Sequence, residues 1–111
     1  MRVVTVKVLG KEYDLTFSNR VMMRLEASNQ SPETYTGMIT MLSAMMEAGD
    51  RLAKHEGKQG RGFLTEDDLA DLLCPADIHG LAAAMNEAQQ GERHVEAVDD
   101  PKNAESTPSE N

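Results

Sequence analysis

Val4-Thr-Val-Lys-Val-Leu-Gly-Lys-Glu-Tyr-Asp-Leu-Thr-Phe17 reads as a β-hairpin that runs straight into a helix. Val4, Val6 and Val8 alternate with Thr5 and Lys7, and Tyr13, Leu15 and Phe17 alternate with Glu12, Asp14 and Thr16. Alternation with period two marks half-buried strands. Between the runs, Gly10-Lys11 fits a two-residue primed turn, with Gly10 supplying the positive φ. That register sets Val8 opposite Tyr13, Val6 opposite Leu15 and Val4 opposite Phe17 on one face. On the other face it sets Lys7 opposite Asp14 and Thr5 opposite Thr16. Such pairs stabilise by roughly 0.2–1 kcal/mol each, and a slip of one residue would exchange the two faces. A lone hairpin is marginal, so the chain that follows must cover its apolar side.

Working outward, Ser18 or Asn19 can cap a short helix carrying Val21, Met22 and Leu25, with Arg20, Arg24 and Glu26 outside. It should end near Ser28-Asn29-Gln30. Ser31-Pro32-Glu33 predicts a restart: a capping Ser, Pro at the first helical position and an acid in the first turn. Tyr35, Met38, Ile39, Leu42, Met45, Met46, Gly49 and Leu52 then recur at helical spacing to about His55. Gly37 and Gly49 should weaken this long helix by roughly 1 kcal/mol each. Gly57–Gly62 predicts a flexible loop, locally basic through Lys54, Lys58 and Arg61. Thr65-Glu-Asp-Asp68 resembles a capping box and opens a helix buried through Leu69, Leu72 and Leu73. Pro75 ends that helix, and a last one runs through Ile78, Leu81, Ala82 and Met85. The expectation is an α+β fold, mostly helical, with the hairpin packed on about four helices.

The chain has 111 residues, so one domain over residues 1–90 is expected. From residue 91 to 111 bulky apolar residues almost vanish and acids dominate, a composition that cannot offset ordering entropy; a disordered acidic tail is expected there. Net charge is −8, from 19 acidic and 11 basic residues, which argues against nucleic acid or an anionic membrane as a partner. The single cysteine excludes an internal disulfide and points to a reducing compartment. No signal-peptide core and no stretch of about 20 apolar residues occurs, so a soluble cytoplasmic protein is expected.

Side chains with chemistry are sparse. His55, His79 and His94 fall in three different elements with no Cys or His at ligand spacing, so no metal site is expected. Cys74 has no evident base and reads as a half-buried structural thiol. Glu66, Asp67, Asp68 and Asp71 open a helix, where acids favour the positive end of its dipole, and do not read as a catalytic pair. The basic glycine loop lacks a P-loop pattern and reads as a solvated linker, or as a loop ordered by a partner. No catalytic residue, cofactor or enzyme activity is expected.

The chain has eight methionines. A Met stripe at helical spacing is more often core than binding surface, yet the apolar arc of the long helix is wider than one hairpin can cover. A surplus apolar face suggests a second copy of the chain or a client protein. The candidate contact residues are the exposed members of Met22, Met23, Met41, Met45 and Met46. Met22 and Met23 are adjacent, so one of them should be exposed, and Met41 points away from the centre of the long stripe.

Val4–Phe17, followed by Ser18-Asn-Arg-Val-Met-Met-Arg-Leu-Glu26, resembles the opening of the phage tail assembly chaperones: a strand, a Gly-Lys-Glu-Tyr-like turn, a strand ending in Phe and a helix ending in Leu-Glu. Leu64-Thr-Glu-Asp-Asp-Leu-Ala-Asp-Leu-Leu73 resembles their acidic-start helix. The resemblance covers roughly residues 3 to 89; the Gly57–Gly62 segment and the methionine count depart from it. It implies a non-enzymatic factor that binds the tape measure protein, keeps it soluble and helps recruit tail tube protein, in the host cytoplasm and absent from the mature virion. Many members gain a second domain by a programmed frameshift, and Pro101-Lys102-Asn103 is compatible with a slippery A-AAA-AAC heptamer. A small tail completion or connector protein of the virion, and a phage regulator binding a host protein, are the alternatives.

Overall fold

Leu9 and Gly10, rather than Gly10 and Lys11, make the hairpin turn in the computed structural model. Their φ angles are +52° and +81°, as a type I′ turn requires at both central positions. Strands β1 (Val3–Val8) and β2 (Lys11–Thr16) pair antiparallel, with Val8 opposite Lys11, Val6 opposite Tyr13 and Val4 opposite Leu15. The expected register is therefore displaced by two residues, and Phe17 lies beyond the end of β2. A displacement of two preserves parity, so Val4, Val6, Val8, Tyr13 and Leu15 still share the covered face. The polar pairs change instead. Asp14 faces Thr5, whose hydroxyl donates to its carboxylate at 2.8 Å, and Lys7 faces Glu12. Alternation specifies faces; only the turn specifies registration, and here it recruits a leucine into the left-handed region.

The structure describes residues 1–91 and 94–95. The expected disordered tail, apart from Gly91, His94 and Val95, lies outside the described residues. The fold is α+β: a two-stranded hairpin followed by helices. Helix α1 (Asn19–Ser28) closes on Asn29, which is left-handed at φ +55°, with Gln30 N–H donating to the Leu25 carbonyl. This end satisfies carbonyls the helix would leave bare.

Helix α2 (Tyr35–His55) begins later than Ser31 would place it. Thr34 is its N-cap: the hydroxyl accepts from Gly37 N–H at 2.9 Å and donates to the Ser31 carbonyl at 2.9 Å. Ser31-Pro32-Glu33 is a turn folded against the first helical turn. A β-carbon on Gly37 would sit 1.7 Å from the Ser31 carbonyl oxygen, and one on Gly49 would sit 2.0 Å from the Asp14 carbonyl oxygen. These glycines were expected only to weaken α2; they are what allows it to press against the turn and against β2.

α2 is the centre of the molecule, packed on β2, on α1 and on α3. Leu42, Met45 and Met46 are fully buried with Leu15 of β2 and Val21 of α1. Most of the wide apolar arc on α2 is thus covered within the chain; Tyr35 at its start is exposed and Met41 only half-buried. Helix α3 (Glu66–Leu72) opens with the expected capping box: Asp68 N–H donates to the Thr65 hydroxyl at 3.1 Å and Thr65 N–H to the Asp68 carboxylate at 3.0 Å. Leu69 is buried and Leu73 half-buried, but Leu72 is exposed, because so short a helix offers α2 one narrow stripe. The expected last helix is divided at Leu81 into α4 (Pro75–Gly80) and α5 (Ala82–Ala88), and α5 packs against both strands. Among the described residues, no helix is long and apolar enough to cross a membrane.

Candidate functional site: an open methionine groove

Helix α1 buries only Val21 and Leu25, one i,i+4 stripe. Successive residues turn by about 100° around a helix, so neighbours of a narrow stripe face outward. Met22 and Met23 are 54% and 61% exposed. Both members of the pair, not one, reach solvent. Met41 of α2 is half-buried beside them. These three methionines, with Phe17 and Leu25, line an open groove of about 850 Å³ between α1, the turn before α2, α2 itself and the end of α5. Its rim is polar, with Glu26 and Gln30 on one side and Asn86 and Gln89 on the other.

Met45 and Met46 do not belong to this surface. Both are 0% exposed, because α2 is packed on several sides and even adjacent residues find cover. Of the five candidate methionines the fold brings three together at the groove and places two in the core. Unbranched, polarizable thioethers lining an accessible groove suit apolar side chains of varied shape.

A cluster at the seam of three helices ties α1, one wall of the groove, to α2 and α3. The Arg24 guanidinium donates to Glu47 at 2.8 Å, to Glu66 at 2.7 Å and to the Ser43 hydroxyl at 3.4 Å. Ser43 in turn donates to the Leu64 carbonyl at 2.7 Å. Burial is the largest single influence on the Glu66 carboxyl and would raise it; the hydrogen bond and charge of Arg24, with a backbone N–H and Ser43, together outweigh it and hold the group below the ordinary carboxylate range. Sequence reasoning put Arg24 on the outside and saw Glu66 only as a helix-opening acid. Nothing local links residues 24, 47 and 66; only the packing of α1 and α3 on α2 does.

The glycine loop is ordered by its own chain. Gly62 N–H donates to the Asp50 carboxylate at 3.0 Å, and the Lys54 ammonium reaches the same group at 3.0 Å. Burial pushes the Asp50 carboxyl up, but Lys54 and Gly62 together hold it below the ordinary range. Arg61 pairs with Glu12, and its Nε lies 3.5 Å from Asp14. Arg61 is engaged with β2 and Lys54 with Asp50 of α2, while Lys58 pairs with neighbouring Glu56; the anchoring through Asp50 and Arg61 replaces the reading of a solvated linker.

Cys74 is exposed rather than half-buried. It is the N-cap of α4, where Asp77 accepts from its N–H at 2.9 Å and from its thiol at 3.2 Å. A cap before Pro75 at the start of a one-turn helix sits on the surface. His55 ends α2, His79 in α4 meets the Tyr35 ring edge-on at 6.4 Å, and His94 meets the Met1 amine. Among the described residues, no group of three or more His, Cys, Asp or Glu is placed to hold a metal ion. Comparison with protein-family models, curated proteins and solved structures finds no match.

Proposed function

We propose that this chain is a phage tail assembly chaperone that binds the tape measure protein. The observation that carries the reading is the open groove where Met22, Met23 and Met41 converge. It is an apolar surface that the fold leaves uncovered, although most of the longer apolar face of α2, including Leu42, Met45 and Met46, is buried. The resemblance of residues 4–26 and 64–73 to that family supports the same reading. The role is non-enzymatic: the groove shields apolar segments of the client in the host cytoplasm, tail tube protein is recruited to the complex, and the chaperone leaves before the virion is complete.

Co-expression with the tape measure protein tests this. The wild-type chain keeps the client in solution and co-purifies with it, whereas M22E/M23E folds normally and does not. An insoluble client in the presence of the wild-type chain contradicts the proposal. Detection of the chain in purified virions favours a structural tail component instead.

A further inference from the structure

The groove's charge has one sign. Among the described residues its charged lining side chains are Glu26 and Glu33, both exposed. Glu26 stands in the last turn of α1, at the negative end of the helix dipole, and no basic side chain in that turn compensates. The nearest cation in sequence, Arg24, is committed to Glu47 and Glu66 at the seam with α2 and α3. Among the described residues, neither Glu26 nor Glu33 takes part in an ion pair.

The groove also restricts the backbone of its occupant. Its walls are α1, α2, α5 and a turn, and no residue of β1 or β2 lines it. It offers no strand edge to an extended segment, so an apolar occupant must satisfy its own backbone, as a helix does.

We infer that the groove takes an amphipathic helix whose apolar stripe meets Met22, Met23 and Met41 and whose lysines or arginines face Glu26 and Glu33. That this helix belongs to the tape measure protein rests on the function proposed above; its chemistry is testable without that protein. Two synthetic helical peptides with the same leucine stripe, one flanked by lysines and one by glutamates, serve as probes for the full-length chain in fluorescence anisotropy. At low salt the lysine peptide binds about tenfold more tightly, and added salt closes the gap. E26K/E33K removes or inverts the preference. E56K/D71K, which changes net charge equally at sites away from the groove, keeps it.

Equal binding of the two peptides overturns the inference, as does a lysine preference that survives E26K/E33K. A chain that holds the tape measure protein in solution yet binds both peptides equally defeats this inference alone. A chain that prefers the lysine peptide yet leaves the tape measure protein insoluble defeats the chaperone reading alone.

Discussion

Two pairs of consecutive methionines lie on neighbouring helices and meet opposite fates. Met22 and Met23 on α1 are mostly exposed, while Met45 and Met46 on α2 are fully buried. The residue type is the same and the local periodicity is similar. What differs is how many sides of each helix are packed: α1 buries one stripe, whereas β2, α1 and α3 all pack on α2. A methionine becomes core or contact surface according to the cover around its helix, and sequence neighbours share that fate when the cover is very wide or very narrow.

The sharpest break of this comparison is truncation within each pair. M46A should cost roughly 2–5 kcal/mol through lost burial and a residual cavity, while M23A should stay within about 0.5 kcal/mol of wild type. Urea denaturation measures both. Similar losses for the two would mean that α1's outer face is packed in solution.

A smaller effect is expected where α2 presses on the hairpin. G49A places a β-carbon against the Asp14 carbonyl, so α2 must shift; a loss of about 2–3 kcal/mol is expected. A neutral result would show that the close side of α2 has slack.

Next comes the seam where α1, α2 and α3 meet. The Glu66 carboxyl titrates below its ordinary range when folded, so its contribution is fully present above the unfolded-state value of about 4 and fades as pH falls below it. E66Q should therefore cost stability at pH 7, by less than about 1 kcal/mol because the side chain is 40% exposed and screened. Wild type and variant should converge as pH falls through the lowered folded-state value of Glu66. A constant difference across that range would detach Glu66 from the Arg24 cluster.

The smallest change concerns an exposed apolar residue that serves nothing comparable. Leu9 is 64% exposed and left-handed. L9N creates the Asn-Gly pair that a type I′ turn favours and should stabilise the chain by about 0.5–1 kcal/mol, read as a higher denaturation midpoint. Destabilisation would contradict the Leu9-Gly10 turn and the register built on it.

Strand faces, the Thr65 capping box and the end of α2 at His55 were legible because each is written in residues close together. The hairpin register was not, since alternation leaves a two-residue ambiguity that only backbone φ at Leu9 resolves. The start of α2 was misplaced because Ser31-Pro32-Glu33 carries a helix-opening pattern, while Thr34 makes the capping bond. The groove was half legible. The methionines flagged it, but separating Met22, Met23 and Met41 from Met45 and Met46 requires knowing that α1 and α3 cover the surplus face of α2. The Arg24 cluster joins residues 42 positions apart and left no local trace.

The ε-methyl groups of the eight methionines allow the central claim to be read directly. A titration of ¹³C-methyl-methionine-labelled protein with the tape measure protein, followed by methyl NMR, should shift or broaden Met22, Met23 and Met41 and leave Met45 and Met46 in place. A complex that forms while the Met22 and Met23 signals stay unchanged would contradict it.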